Sequence, residues 1–581
     1  MSKIRNQINK ETNFRDNSII RLNRYTMYQN NKHCTTFDSG KLIPVYVREV
    51  NPADTFDIKV NAVCRVLSPL IKPVMDNAKL AIWAFFVHRR LCEDKWDQII
   101  GHYQPNPDWS KDPEIKCSDV FFKSLNEMPL CIVADYMGVP LWNKKRNMLP
   151  GVCSDPFRGY GLIWDNWFRP EYLVNSVVVN TDSGMNEELE ALEVNDDPNG
   201  FNTATRGGSC LPLYKIHDYF TSCLPAPQKG TPLALNFAEA LGYAPVITKN
   251  DSVSNSRIPL YWHDVVGSRR IFSTDSPVLN TIGIGRVAEG TSNTFYNSQN
   301  LGNMPISPDN LWADLTNTEI GSITINDIRA AFQTQMIKEA DARYGTRYKE
   351  ILLGHYGVLA QDSRLQIPEF LGKVSCPIDI TQVTQMSSTD NTSPQGNVSA
   401  FSLSAMSKKL FTKSFVEHGY VIICAGVRLP HRTYCQGLPK HFSRLSRYDF
   451  FWPEYQHLGD QPVLNKEIFA TGYEGDDEVF GYQEIYADYR YMPNMATGYM
   501  RTNVENSLAV WNFADKYDEL PTLSGEWLKE DKVNIDRCLA IPSTNTTPQF
   551  ACDFYFVNKA TRQVLPHGVP GLLDHSGRIE I

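Results

Sequence analysis

Nothing in this chain of 581 residues spells a CxxC pair: of its thirteen cysteines, the two nearest, Cys424 and Cys435, stand eleven positions apart. That spacing excludes the common zinc and dithiol motifs, and an odd count argues against a complete disulfide framework. Structural thiols are the expected reading. No apolar run approaches the roughly 20 residues that a membrane helix needs, and Met1-Ser2-Lys3 opens no signal peptide. The chain is therefore expected to be made and folded in a reducing cytoplasm, without membrane insertion. There is no P-loop, no G-x-S-x-G elbow, no H-E-x-x-H pair and no repeat of propeller or solenoid period. An excess of positive charge is missing as well, because 57 basic against 65 acidic side chains leave −8. The surface as a whole cannot neutralise phosphates, so any nucleic-acid contact must be local.

What is present points to assembly. Charged residues make up 21% of the chain and aromatics 11%, so large buried or interfacial surfaces can form. The first 32 residues hold Lys3, Arg5, Lys10, Arg15, Arg21, Arg24 and Lys32 against only Glu11 and Asp16, a local surplus of five positive charges. This is either a frayed, solvated terminus or an arm that faces nucleic acid.

Strand signals lie at both ends of the chain. From Thr55 to Leu67 the apolar residues Phe56, Ile58, Val60, Ala62, Cys64 and Val66 alternate with Asp57, Lys59, Asn61 and Arg65, the period of a half-buried strand. Ile43 to Val50, Leu80 to Val87, Tyr420 to Val427 and Cys552 to Val557 read as strands from β-branched and apolar content. Between Thr231 and Ile320 there is no cysteine, and Asn, Ser, Thr and Gly recur, which looks like an insertion. Helices are expected to be few and late. Ile328, Ala331, Phe332, Gln335 and Ile337 follow Asn326 as a possible cap, and a second series starts near Thr346 with Tyr348, Ile351 and Leu352. A jelly roll with long loops would give this pattern, and so would a multidomain β enzyme.

Candidate chemistry is sparse. Gly283, Gly285 and Ala288 form a G-x-G-x-x-A string, but loop composition follows where a phosphate cradle needs a helix. Asp165 sits among Trp164, Trp167 and Phe168 and could serve a sugar platform; an amphipathic packing segment with Asp165 as cap or ion-pair partner is the plainer reading. Asp476, Asp477 and Glu478 read as a solvated turn before a calcium site. His217, His418, His441 and His457 read as structural histidines. Tyr482, Tyr486, Tyr489, Arg490 and Tyr491 suit either base stacking or a subunit interface, and the interface is preferred. No catalytic, cofactor or metal residue is assigned.

Longer strings carry a family likeness. These are Thr35-Thr36-Phe37-Asp38-Ser39-Gly40 with Ile43-Pro44-Val45, Pro73-Val74-Met75-Asp76-Asn77, and Ile163-Trp164-Asp165-Asn166-Trp167-Phe168-Arg169. They continue with His217-Asp218-Tyr219-Phe220-Thr221, Asp341-Ala342-Arg343-Tyr344-Gly345, Phe411 through Tyr420, Arg447-Tyr448-Asp449-Phe450-Phe451-Trp452-Pro453, Val479 through Glu484, and Gly568 through His575. In these the chain resembles the major capsid protein of the gokushoviruses, the small icosahedral single-stranded DNA bacteriophages of the Microviridae, over nearly its whole length. The resemblance implies a mainly β protein, an eight-stranded antiparallel viral jelly roll (β-barrel) with long inter-strand insertions containing a few helices. It implies sixty copies closing a T=1 icosahedral shell around circular single-stranded DNA, with no enzymatic activity and no cofactor. The implied partners are an internal scaffold, a DNA pilot protein, a small DNA-binding protein and a host surface receptor, and the implied location is the virion, assembled in the bacterial host cytoplasm.

On this reading residues 1–40 form a basic arm, 41–230 the first part of the jelly roll, and 231–320 a surface insertion at the threefold axis. Residues 321–400 form a helical and loop connection, and 401–581 the second part. A sugar-active β-rich enzyme and a non-capsid phage adhesin are the competing classes.

Overall fold

The computed structural model describes residues 21–102, 115–123, 128–140, 148–233, 325–387, 389, 394–544 and 547–567, with strand segments between 246 and 313 and at 578–579. The chain divides into two compact units, one of Met1–Lys229 with Glu339–Ile581, the other of Gly230–Lys338.

In the first unit, nine strand segments build two antiparallel sheets: β1 (Tyr25–Tyr28), β2 (Asn31–Phe37), β3 (Ile43–Val50), β4 (Thr55–Val66), β5 (Lys79–His88), β6 (Glu369–Pro377), β7 (Ser404–Ser414), β8 (Gly419–Arg428) and β9 (Phe550–Arg562). One sheet runs β1–β9–β4–β7, with β2 also paired to β9; the other runs β6–β5–β8–β3. Residues from the two ends of the chain thus meet as neighbours, with Cys64 of β4 directly across from Cys552 of β9.

The alternation in β4 fixes the inside of the first sheet. Phe56, Ile58, Val60, Ala62 and Cys64 are buried, and the intervening residues turn outward. Burying a Phe or Ile side chain is worth roughly 1.5–3 kcal/mol, so a register slip of one residue would forfeit the row. The sheets share one core: Tyr46 of β3 meets Phe556 of β9 at 4.8 Å between ring centroids, and Phe415 joins Phe56 of β4 to Phe86 of β5 at 5.6 and 4.6 Å.

The second sheet is different, because β5 and β8 are buried along nearly their full lengths. Strands covered on both faces lose the polar alternation. One cover is helix α1 (Asp155–Trp167), which begins with Pro156 in its first turn. Gly159 lets it lie close: a Cβ there would sit 3.1 Å from Ile422 of β8 and 3.5 Å from Val87 of β5. Tyr160 donates to the Leu42 carbonyl at 2.6 Å and Trp164 donates to that of Pro212 at 2.8 Å.

Of the five segments read as strands, four lie wholly within strands, Thr55 to Leu67 overruns its strand by one residue, and the last extends to Arg562. The expectation that helices come only late is corrected by α1. Phe157-Arg158-Gly159-Tyr160-Gly161 has poor intrinsic helix propensity, and packing against the sheet overrides it. The late helices are α2 (Ile325–Tyr344), with Asn326 inside its first turn rather than before it, and α3 (Tyr348–Tyr356), preceded by Arg347. Asp165 is the expected ion-pair member, 2.6 Å from Arg169.

In the second unit, five short strands pair in the order Thr294–Asn297, Thr281–Gly285, Arg269–Phe272, Tyr261–His263 and Ser307–Pro308, and Val246–Thr248 pairs with Leu311–Ala313. Gly283 and Gly285 are residues of an antiparallel strand pair; Ala288 lies outside the described residues.

Candidate assembly surface

A second, smaller core sits under the tyrosine-rich stretch. Tyr219, Phe220, Cys223, Tyr434, Val463, Ile468 and Phe480 pack together, and the strand Asp460–Leu464 pairs with Val479–Glu484 above them. Beneath lies a buried ionic cluster. Arg432 binds Asp515 at 2.6 Å and also Glu530, Lys215 approaches Asp515 at 3.7 Å, and the hydroxyl of Tyr517 donates to Asp515 at 2.8 Å. Burial pushes the Asp515 carboxyl up, but Arg432 and Lys215 more than offset this and hold it below the ordinary carboxylate range. Removing one member of such a cluster strands a buried charge, a loss of about 3–5 kcal/mol.

The five residues expected at an interface separate into layers. Tyr491, half-buried, stacks on Tyr219 at 5.3 Å with only 11° between the rings. Tyr482 is half-buried, and its backbone exchanges two 2.8 Å hydrogen bonds with Leu224. Tyr486, half-buried with φ of +61°, accepts the Trp452 N–H at 3.0 Å. Tyr489 is 53% exposed, with the Arg444 guanidinium 4.3 Å above its ring. Arg490 is exposed and pairs with Glu484.

The sequence reading missed the larger part of this surface. The loop from Lys440 to His457 folds into three short 3-10 turns, Lys440–Ser443, Arg447–Asp449 and Pro453–His457. It exposes Phe442, Leu445 at 89%, Tyr448 at 65%, Phe450 and Phe451. Its shape is set from within: the Asp449 carboxylate accepts the backbone N–H of Ser446 at 2.7 Å and of Leu445 at 3.0 Å, which holds it below the usual range. Aromatic bulk in Arg447-Tyr448-Asp449-Phe450-Phe451-Trp452 was the available signal. Hydrophobic content alone does not separate an outward loop from a core segment.

Of the cations assigned to the arm, Lys3, Arg5, Lys10 and Arg15 lie outside the described residues. Arg21 opens a two-residue strand paired with Arg578–Ile579. Arg24 donates to the Thr55 hydroxyl and, at 3.4 Å, to the Thr561 carbonyl. Lys32 is 3.1 Å from Asp553. From Tyr25 onward the supposed arm is therefore part of the first sheet.

Candidate chemistry elsewhere resolves into structure. Asp476 closes a turn by accepting the N–H of Gly472 at 2.7 Å and the Thr471 hydroxyl at 2.6 Å. His418 packs edge-on against Trp96 at 5.5 Å; His441 lies tilted against Phe442 at 4.2 Å and, like His217 and His457, is exposed rather than enclosed. Among the described residues no group of His, Cys, Asp and Glu is placed to hold a metal ion, and no helix is long and apolar enough to cross a membrane.

Exposed aromatic loops on an antiparallel β framework are the features of a structural subunit that assembles with other protein. The family model of the phage capsid protein (F protein) matches residues 18–572. Capsid protein VP1 of Spiroplasma virus 4 is 36% identical over 581 residues, spanning 98% of this chain and 99% of that one. VP1 of Chlamydia phage 1 is 35% identical over 593 residues (93% and 94%), and VP1 of Bdellovibrio phage phiMH2K is 35% identical over 546 residues (92% and 93%). The chain belongs to the phage capsid protein (F protein) family, in its gokushovirus branch within the Microviridae. It is a structural component of the virion, assembled in many copies, and not an enzyme. The sugar-active enzyme and adhesin readings fall away with that membership.

Proposed function

We propose that the two sheets are the halves of an eight-stranded jelly roll and that sixty copies close a T=1 icosahedral shell around circular single-stranded DNA. The observation that carries this reading is the strand order. Counting β1 and β2 as one interrupted strand, eight strands remain in chain order; the first, eighth, third and sixth make one sheet and the second, seventh, fourth and fifth the other. That interleaving is the double Greek key by which a β sandwich brings chain-distant strands together. The exposed loop around Tyr448 and Tyr489 then lies against neighbouring copies, and the residues before Tyr25 reach the genome. The cysteine-free stretch 231–320 is the part that meets the host surface, at the threefold axes. An internal scaffold, a DNA pilot protein and a small DNA-binding protein complete the particle, which is built in the host cytoplasm.

The test is the mass of nuclease-treated particles by light scattering, with electron microscopy of the same sample. Sixty chains of 66.0 kDa weigh about 4 MDa before DNA. A uniform icosahedral population of that protein mass is expected, and closed shells of another copy number would overturn the T=1 assignment.

A further inference from the structure

The outward face of the first sheet is basic although the chain is acidic. Strand alternation and register place Lys32 of β2, Lys59 and Arg65 of β4, Lys409 of β7 and Lys559 of β9 on this face, with only Asp57 and Asp553 as carboxylates. Lys32 pairs with Asp553 and Lys409 with Asp57. Lys59 and Arg65 have no ion-pair partner among the described residues, and Lys559 stands directly opposite the already engaged Asp57. Most telling, Lys59 and Lys409 are direct cross-strand neighbours. Like charges so placed destabilise a sheet unless an anion covers them.

The rest of the face fits one kind of cover. Tyr28 is 69% exposed and Tyr555 40%, and Tyr28 lies across from Lys559, Tyr555 across from Lys32 and Asn61. Hydroxyl and amide groups of Thr26, Ser407, Asn61 and Thr412 share the positions between with Val63 and Val557. Protein interfaces are depleted in lysine and built on apolar centres, whereas cations interleaved with aromatic rings and hydrogen-bonding groups suit a single nucleic-acid strand. At Arg65 the face enters a depression of about 540 Å³ lined by Thr36, Val63, Ala551, Leu130 and Tyr136, with the carboxylates of Asp135 and Asp553 also in its wall, and with room for a base.

We infer that the outward face of this sheet binds single-stranded nucleic acid, with Lys59, Arg65, Lys409 and Lys559 on phosphates and Tyr28 and Tyr555 stacked on bases. The inference rests on the reading of the shell as a container for single-stranded DNA, and it adds a surface distinct from the residues before Tyr25.

It is tested on the full chain with a labelled oligothymidylate, following affinity against sodium chloride. Replacing Lys59, Arg65 and Lys559 together by Gln should flatten the slope of log affinity on log salt by about 2, since each phosphate contact on a single strand contributes about 0.7. Y28L with Y555L should weaken binding roughly tenfold or more and leave the slope unchanged. Ultraviolet cross-linking of the packaged genome in unmodified particles, followed by peptide mapping, should mark peptides containing Tyr28 and Tyr555. An unchanged slope in the Gln variant, or cross-links confined to other segments, would overturn the inference. So would a Gln variant that binds the oligonucleotide normally but no longer forms shells, since the face would then be a contact between copies. Electron microscopy of the same preparations separates these results from failure of the shell reading itself.

Discussion

At the scale of single residues, the clearest consequence concerns a buried pair of acids. Glu93 and Asp155 are fully buried, close to Arg158 at 3.3 Å from Glu93 and to Arg89 at 2.7 Å from Asp155. Burial first, and then a hydrogen bond to the Asp155 carboxyl, raise Glu93 above its ordinary value of 4.5. The sign follows from linkage. Below 4.5 the group is protonated folded or unfolded and carries no penalty; as pH rises toward the raised folded value the unfolded chain ionises first and stability falls. E93Q retains a donor toward Asp155 and removes that ionisation. In urea unfolding it should gain on the unmodified chain as pH is raised from acid to neutral; a difference that does not change with pH would contradict the assignment. Neither acid was legible from sequence, because they are distant in the chain and only the docking of α1 brings them together.

At the scale of elements, the close packing of α1 on β5 and β8 makes a sharper demand than its amino-acid preferences do. A single methyl group at Gly159 would already sit 3.1 Å from Ile422 and 3.5 Å from Val87. G159V adds bulk that the sheet, buried on both sides, cannot absorb without shifting. Overpacking of this kind costs about 1–3 kcal/mol, so thermal unfolding should show a lowered midpoint with the same far-ultraviolet circular dichroism. An unchanged midpoint would mean that the helix sits further from the sheet. The strands were legible for the opposite reason. In β4 the period of two survives because one face is solvated, and in β5 and β8 the apolar run is continuous because neither face is. The tyrosine-rich stretch was legible as aromatic but not as layered: Tyr489 faces outward and Tyr491 inward with one residue between them, a division made by the position of Tyr219.

At the scale of the whole molecule, the division into Met1–Lys229 with Glu339–Ile581 and Gly230–Lys338 separates the two functions proposed for the protein. On that proposal the two-sheet framework supplies the shell, and the stretch containing 231–320 supplies host contact. Exchanging Gly230–Lys338 for the corresponding segment of a relative should transfer adsorption specificity while shells still form and package DNA. Adsorption that follows the framework instead of the exchanged segment would remove the host-contact role from this unit. Removing the residues before Arg21 leaves the β1 edge intact, whereas a deletion reaching Lys32 would strip β1 and the first two residues of β2 from β9. Any effect on packaging must therefore be read from the shorter truncation.

The sequence by itself determined five of the nine strand segments of the two sheets, that charge recognition must be local, and, through long matching strings, the family. Each of these is written in neighbouring residues as periodicity, composition or motif. Tertiary structure decided the rest: the pairing of β4 with β9 across almost the whole chain, the helix held on a sheet by a glycine, and the alignment of Lys59, Lys409 and Lys559 on one face. Those depend on register between strands hundreds of residues apart, and register is set by how buried rows fit together in space.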